Sequence, residues 1–236
     1  AVSGVSVGSS SVSQYASTAV GNLANASGEQ SVAIGSESST SGNLSVAVGS
    51  KSNAAYQGVA VGEEAKATGE SGIATGFEAV SSGKMAIASG YRTEASGENS
   101  VAVGMLSEAS EYQAVALGAQ AESTGRNATA IGESTTVTSM NGTAIGAGAT
   151  TTVESGVAIG SASKANRAAG IQGYVPEGSQ INEAQKNSNT WKSTLSEVSV
   201  GSDTNTRQIT HVAAGTEDTD AVNVAQLKQV NGRVTE

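Results

Sequence analysis

Valine and isoleucine alternate with alanine along most of the chain, and a glycine closes each alternation. SVAIG at 31–35 is followed by SVAVG at 45–49, and SVAVG returns at 100–104. The closing glycines recur at steps of 13 or 14 residues: Gly8, Gly21, Gly35, Gly49, Gly62, Gly76, Gly90, Gly104, Gly118, Gly132, Gly146 and Gly160. A short period held over so many copies predicts a solenoid, in which each repeat buries its apolar face against its neighbours.

Each repeat contains two short alternating segments. Val or Ile flanks Ala in the first, as in Val32-Ala33-Ile34, while a second alternation such as Thr93-Glu94-Ala95 turns small residues inward and charge outward. The pattern predicts two strands and two corners per turn, with glycine supplying positive φ or a close backbone approach at the corners. At about 4.8 Å per stacked strand, the repeats predict an all-β rod on the order of 55 Å long.

The Val/Ile side and the Ala side of the first segment are predicted to have different surroundings. Val and Ile are expected to fill the interior of a thin coil, and the alanines to admit a neighbouring subunit closely. This alanine column consists of Ala19, Ala33, Ala47, Ala60, Ala74, Ala88, Ala102, Ala116, Ala130, Ala144 and Ala158. Because such a coil holds less apolar volume than a small domain usually needs, the sequence predicts oligomerisation through the alanine column.

Three consecutive repeats break the pattern directly after the closing glycine. Most repeats carry a small or polar residue there, but these carry Phe77, Tyr91 and Met105. The hypothesis is an exposed ligand-binding patch, because aromatic residues and Met are enriched at interfaces. Its predicted members are Phe77, Tyr91, Arg92, Met105, Leu106 and Tyr112. The alternative is that these side chains fold over the rim or fill gaps between subunits.

A column of Glu94, Glu108 and Glu122 is interpreted as a solvated face that keeps the rod soluble, or as a surface for a basic ligand.

The C-terminal third has a different character. The repeat fades near residue 176, residues 177–220 read as a neck with an irregular insertion, and residues 221–236 read as the start of a coiled coil. Asp218 or Thr219 is predicted to cap the helix. Heptad spacing assigns four residues to the helix interface: Val224, Leu227, Asn231 and Val234.

Composition narrows the functional classes. A formal net charge of -9 and the absence of any Lys/Arg cluster argue against nucleic-acid binding. There is no Cys, no P-loop, HExxH or calcium-repeat motif, and the single histidine, His211, has no nucleophile pattern around it. We therefore expect no enzyme activity, no cofactor and no metal. The chain has neither a signal-peptide pattern at its start nor an apolar run long enough to span a membrane, so export and anchoring elements are expected outside it.

These residues together resemble the YadA-like head and neck of trimeric autotransporter adhesins of Gram-negative bacteria. The SVAIG and SVAVG phrases are similar to the head repeat, and TRQITHVAAGTEDTDAVNVAQL at 206–227 is similar to the neck. The resemblance implies a left-handed parallel β-roll at residues 1–176, a homotrimer, and a neck leading to a coiled-coil stalk. It also implies an outer-membrane anchored surface protein, a virulence factor that binds host collagen, fibronectin or laminin, or a receptor such as a carcinoembryonic-antigen-related adhesion molecule.

A different class of solenoid binds ice or another regular surface through a flat threonine ladder. Thr135, Thr136 and residues 150–152 suggest such a ladder locally, but Lys66, Val80 and the glutamate column interrupt it. Ice or surface binding is therefore the second hypothesis for function.

Overall fold

Twenty-five short strands wind into a parallel β-solenoid. The computed structural model describes residues 4–234, with side chains through residue 230. The strands form a 13-stranded sheet, here called sheet A, and a 12-stranded sheet, here called sheet B. The chain passes from a strand of sheet A to one of sheet B and back in each turn, so all pairing is between successive turns.

Sheet A contains the odd-numbered strands, which carry the repeated phrase. Strands β1 to β25 of this sheet are Val5–Val7, Thr18–Val20, Val32–Ile34, Val46–Val48, Val59–Val61, Ile73–Thr75, Ile87–Ser89, Val101–Val103, Val115–Leu117, Thr129–Ile131, Thr143–Ile145, Val157–Ile159 and Val198–Ser199. The register pairs equivalent residues of successive turns, for example Ala74 with Ala88 and Ala102 with Ala116. The solenoid and its period are therefore as the sequence predicts, and the parallel pairing is as the resemblance implies.

Sheet B contains the even-numbered strands, which carry the second alternation. Strands β2 to β24 are Val12–Ser13, Asn25–Ala26, Ser39–Thr40, Asn53–Ala54, Lys66–Ala67, Val80–Ser81, Glu94–Ala95, Glu108–Ala109, Glu122–Ser123, Thr136–Val137, Thr150–Thr151 and Lys164–Ala165. In most of these strands the first residue faces outward and the second is buried, as Glu94 and Ala95 illustrate.

The interior of the coil is filled by small side chains, which corrects the prediction for the alanine column. Every alanine of that column is 0% exposed within a single chain, so none can contact another subunit: Ala19, Ala33, Ala47, Ala60, Ala74, Ala88, Ala102, Ala116, Ala130, Ala144 and Ala158. The physical reason is the flatness of the coil. Sheets A and B lie so close together that Ala, Ser and Thr fill the space between them, and side chains alternate across a strand. Val and Ile therefore point outward, and the prediction that they fill the interior is wrong.

Buried hydroxyl groups inside the coil bond mainly to nearby carbonyls. Ser45 Oγ donates to the carbonyl oxygen of Gly42 at 2.6 Å, and Ser31 Oγ donates to that of Gly28 at 2.6 Å. Ser100 occupies the same position of its turn, but its buried Oγ has no partner. Ala86 and Ala114 occupy this position in neighbouring turns. The position therefore requires a small side chain more than it requires a hydroxyl group.

Each turn has two corners. The first corner follows a sheet A strand and begins with the closing glycine; the second corner leads from sheet B back to sheet A. At the first corner, Gly62 has φ of 137°, and a Cβ there would overlap the carbonyl oxygen of Gly76 in the next turn. Only glycine combines this φ with so close a stacking of turns.

The coil continues beyond an irregular insertion, which starts earlier than the insertion expected within residues 177–220. The regular turns run to Ala165, and β25 then pairs with β23 through Val198 against Val157. VSVG at 198–201 is therefore one more copy of the phrase. The expected head boundary at residue 176 falls inside the insertion, because residues 166–197 leave the coil after β24 of sheet B and lead back to β25 of sheet A. The insertion contains helix α1 (Glu183–Lys186) and an antiparallel bridge between Gln172 and Lys192.

An arginine closes the last turn of the coil. The guanidinium group of Arg207 donates to the carbonyl oxygens of Ser161 and Val200, and to Ser163 Oγ at 3.0 Å. Gly160 lies directly beneath it, and a Cβ there would approach the guanidinium carbon to 3.0 Å. These bonds satisfy backbone acceptors at the open end of the solenoid.

The neck leads into helix α2 (Val224–Val234), which begins later than the predicted caps. Asn223 caps it: Asn223 Oδ1 accepts from the backbone N–H of Gln226 at 3.1 Å, and Gln226 Oε1 accepts from that of Asn223 at 3.2 Å. The predicted cap Asp218 lies in a turn that Asp220 closes instead. Hydrogen bonds from the N–H groups of Thr216 and Glu217 hold the pKa of the Asp220 carboxyl below its ordinary value. Among the described residues, none of the helices is long and apolar enough to cross a membrane.

Enlarging an interior alanine tests the assignment of the coil interior. We expect Ala102→Leu to lower the free energy of unfolding by about 1–3 kcal/mol, because the extra volume forces the two sheets apart. Thermal unfolding followed by circular dichroism measures the effect. Glu94→Leu, which adds an apolar side chain on the outer face of sheet B, is the control and should change the melting temperature little. Equal effects of the two changes would contradict a tightly filled interior.

The serine position gives a second test. Ser45→Ala should cost about 1 kcal/mol, because it removes a hydrogen bond inside the coil. Ser100→Ala should leave stability unchanged or raise it, because it removes a buried hydroxyl group that has no partner. Chemical denaturation of both variants measures the difference. A larger loss for Ser100→Ala than for Ser45→Ala would show that the Ser100 hydroxyl group is satisfied.

Candidate interaction surfaces

The outer side of sheet A is an apolar face, and it consists of two columns of mostly β-branched side chains. The first column is formed by Thr18, Val32, Val46, Val59, Ile73, Ile87, Val101, Val115, Thr129, Thr143 and Val157, and the second by Val20, Ile34, Val48, Val61, Thr75, Ser89, Val103, Leu117, Ile131, Ile145 and Ile159. Exposure reaches 40% at Ile34 and 46% at Ile159. A continuous apolar surface of this length is rare on a monomeric protein and marks an interaction site.

The alternation in the sequence indicates that one side of each sheet A strand is larger and more apolar, but it does not indicate whether that side faces inward or outward. Alternation in Val-Ala-Ile separates two sides of a strand, and the larger side was assigned to the interior. The structure reverses the assignment, so the apolar face replaces the alanine column as the surface available to another chain.

Two aromatic residues stack at the first corner of successive turns. The rings of Phe77 and Tyr91 have centroids 5.4 Å apart and planes inclined by 9°. The 14-residue period brings them together, since the N–H of Arg92 donates to the carbonyl oxygen of Phe77 at 2.9 Å and so joins the two corners. Phe77 is 37% exposed and Tyr91 is 43% exposed. The two rings are therefore stacked, and both remain partly accessible to solvent.

Arg92 borders the stack as part of an ion pair. Its guanidinium carbon lies 5.2 Å from the centre of the Tyr91 ring, within the range of a cation–π interaction. Arg92 Nε also donates to Glu78 Oε2 in the preceding turn. This hydrogen bond and the negative charge of Glu78 raise the pKa of Arg92 above its ordinary value. The Arg92 charge is thereby partly compensated within the chain.

Met105 and Leu106 continue the first corner by one turn. Both are exposed, and the N–H of Leu106 donates to the carbonyl oxygen of Tyr91 at 2.9 Å. Leu106 is in the left-handed region with φ of 57°, as are Glu78 and Arg92 at the same position of their turns. We define the corner patch as Phe77, Tyr91, Arg92, Met105 and Leu106, which the structure brings together on one edge of the coil.

Tyr112 does not join the corner patch within one chain. It follows strand β16 at the second corner, on the opposite edge of the coil, where the guanidinium carbon of Arg126 lies 5.1 Å from its ring centre. The separation arises because Tyr112 comes seven residues after Met105, which is half a turn. The predicted set of ligand residues is therefore divided between two edges.

Sheet B presents a polar outer face. Glu94 pairs with Glu108, and Glu108 pairs with Glu122, so three carboxylates stand on adjacent strands. Within the part of the chain that the structure describes, ion pairs at the corners join Lys51 to Glu64 and Lys84 to Glu70, but no ion pair includes these three glutamates. The face is thus open to a positively charged partner.

The threonine ladder is shorter than the ice-binding hypothesis needs. Thr135 and Thr151 are fully buried inside the coil and cannot contact a surface. Thr136 and Thr150 do pair on the outer face of sheet B, but Glu122 precedes them and Lys164 follows. The remaining hydroxyl surface spans two turns.

The single histidine lies in the segment that precedes helix α2. His211 is exposed, and its Nδ1 lies 3.1 Å from Thr210 Oγ1. Across residues 4–230, no group of three or more His, Cys, Asp or Glu side chains is arranged to hold a metal ion.

Comparison with known proteins identifies both parts of the chain. The family model of the YadA head domain repeat (2 copies) matches residues 13–38, 55–79, 81–107, 109–132 and 123–149. The family model of the coiled stalk of trimeric autotransporter adhesins matches residues 208–236.

Two curated relatives are adhesins. Over 76 residues, 31% of this chain, the sequence is 53% identical to autotransporter adhesin BadA of Bartonella henselae. Over 69 residues, 29% of this chain, it is 44% identical to autotransporter adhesin EhaG of Escherichia coli O157:H7. The matched segments span 2% and 4% of the lengths of these relatives. Among solved structures, the collagen-binding domain of the Yersinia adhesin YadA aligns with 92% of this chain and 75% of its own, at 28% identity and a TM-score of 0.24.

Proposed function

Because the chain belongs to the family of trimeric autotransporter adhesins with YadA-type head repeats, we propose that it is a non-catalytic adhesin head that binds a host protein at the bacterial surface. The observation that carries the proposal is the succession of head-repeat matches along the coil, followed by the stalk match. The protein would be anchored in the outer membrane through parts outside this chain. Residues 1–176 are proposed as head, 177–220 as neck and 221–236 as the start of the stalk, with the strand β25 returning to the head from within the neck segment.

Three copies are proposed to assemble with their apolar faces toward a common axis. The face repeats along the whole coil, so threefold rotation brings identical turns of three chains together at the same height. Its half-exposed Val and Ile side chains supply the burial that the narrow interior of one chain lacks. Helix α2 would continue the same axis as a coiled coil. Val224 and Leu227 are exposed on the single chain, as a helix interface requires, while the side chains of Asn231 and Val234 lie outside the described residues.

The apolar face can be tested by introducing charge. We expect the double variant Val103→Glu with Ile145→Glu to lose the trimer, because unpaired carboxylates would be buried between chains. Size-exclusion chromatography with light scattering gives the mass. Thr136→Glu is the control, because it adds the same charge on the outer side of sheet B, where Glu122 is already accommodated. A trimer unchanged by the double variant would mean that the chains associate through another surface.

The ligand is proposed to be a host matrix protein, collagen, fibronectin or laminin, or a receptor such as a carcinoembryonic-antigen-related adhesion molecule. The corner patch is the proposed contact, because it gathers exposed aromatic and Met side chains on the first corners of three successive turns. The rest of the coil is a rigid spacer. Three copies of the patch on one rod would add avidity on a clustered target.

Removal of the aromatic stack tests the contact. Phe77→Ser with Tyr91→Ser should weaken binding to the recognised ligand at least about tenfold, the scale of a lost hot spot. Surface-bound type I collagen, fibronectin, laminin and the receptor ectodomain are the probes, and binding of the purified chain is measured by interferometry. Tyr56→Ser, at an exposed tyrosine on the second corner, is the control. Equal binding by the parent and the double variant would exclude the aromatic stack, and no binding of the parent to any probe would contradict the proposed ligand classes.

A further inference from the structure

The predicted ligand residues lie on two edges of one coil that cannot face each other within a chain. The corner patch occupies the first corner of three turns, and Tyr112 lies at the second corner of the last of these turns. The proposed trimer changes this relation. With apolar faces inward, the first corner of each chain lies beside the second corner of its neighbour. We infer that the binding site is a composite groove, with the corner patch as one wall and the second corner of the neighbouring chain as the other.

The groove inference rests on the proposed function, since it requires the trimer. Under closed threefold symmetry, identical turns lie at one height, so the two walls can be matched turn by turn. In this arrangement Phe77 of one chain faces the neighbouring chain at the turn that carries Lys84 and Met85. Tyr91 likewise faces the neighbouring turn that carries Glu98. Met105 and Leu106 face the turn that carries Tyr112. Met85 is exposed on its corner, so the second wall has an apolar residue at each end.

The apolar face is altered at the same turns, next to the first corner. Its second column carries Val or Ile in most turns, but Thr75 and Ser89 occupy it in the turns of Phe77 and Tyr91. Ser89 lacks both methyl groups of a valine, so neighbouring chains are packed less fully at this edge. Smaller side chains on the apolar face and aromatic rings at the first corner therefore occur in the same two turns. A recess between chains, lined by aromatic side chains, explains both changes together.

The charges around the groove favour a basic polypeptide segment as its occupant. Glu98 and Glu111 lie in the second wall. On the adjoining outer face of sheet B, Glu94, Glu108 and Glu122 have no ion pair within the described residues. The cations of the two walls are engaged within the chain: Arg92 pairs with Glu78, Lys84 pairs with Glu70, and Arg126 lies over the Tyr112 ring. A ligand segment with Lys or Arg next to an apolar side chain would pair with these carboxylates and pack against the corner patch. Three turns span about 10 Å between outer strands, which accommodates roughly three or four extended residues.

Mixed trimers distinguish a composite groove from a site within one chain. One variant loses the first wall (Phe77→Ser with Tyr91→Ser), and the other loses the second wall (Met85→Ser with Tyr112→Ser). Each is expressed alone and both are co-expressed with different affinity tags, and mixed trimers are isolated by purification through both tags. Binding of the soluble matrix protein that the parent captures, type I collagen, fibronectin or laminin, is then titrated on immobilised trimers.

The composite groove predicts complementation. Each variant alone should bind at least about tenfold more weakly than the parent. Every mixed trimer, in either stoichiometry, joins one intact first wall to one intact second wall, so it should recover parental affinity with about a third of the parental capacity. Mixed trimers that bind as weakly as the separate variants would overturn the inference and assign the site to a single chain. Full binding by the second-wall variant alone would also overturn it.

Two further measurements separate the inference from its premise and fix the occupant. A monomeric parent chain, or a parent that binds none of the matrix proteins, defeats the proposed function and the groove with it. For the occupant, the triple change Glu94→Gln, Glu108→Gln and Glu122→Gln should weaken binding several-fold at low salt and much less at high salt. Unchanged binding by the triple variant, or loss of binding after enzymatic removal of glycans from the ligand, would overturn the assignment of a basic polypeptide.

Discussion

The narrow gap between sheets A and B is the constraint on which the other features of this protein depend. Only small side chains fit there, and the buried core consists mainly of alanines, serines and threonines, with Val137 as its largest member. Such a core buries little apolar area per turn, and a coil of this kind gains stability mainly from the contact of each turn with the next. The larger apolar side chains must then lie outside, where a single chain leaves them half-exposed.

The same constraint divides the surface into parts with different roles. The apolar face is regular because each turn repeats the same strand, and it is the surface that we propose for contact between chains. The corners are free to vary, since their backbone is fixed by glycine and by hydrogen bonds between successive turns, while their side chains project into solvent. The stack of Phe77 on Tyr91 shows how a fixed period converts two isolated substitutions into one surface feature. Sheet B presents carboxylates and hydroxyl groups on its outward face.

The end of the coil shows how the fold accommodates interruption. Residues 166–197 leave the coil at a second corner, and β25 then pairs with β23 in the parallel register of the other sheet A strands. A long excursion is tolerated because the turns before it already provide the template for the strand that follows. Arg207 then satisfies the carbonyl groups that no further turn covers, and Asn223 starts the helix that continues the chain. The last turns of the coil, the insertion and the segment that follows are thus joined by strand pairing and by hydrogen bonds.

The sequence by itself determined the period, the two alternations, the glycine corners, and the family to which these features belong. It also singled out Phe77, Tyr91 and Met105, because a departure from a strict repeat is visible without coordinates. It did not determine which side of Val-Ala-Ile is inside, since alternation only separates two sides, and the distance between sheets decides which side chains fit. It missed VSVG at 198–201 because an insertion hides the period, and it grouped Tyr112 with residues half a turn away. Only the tertiary structure decided these points, because inside, outside and edge are properties of the closed coil and not of any one repeat.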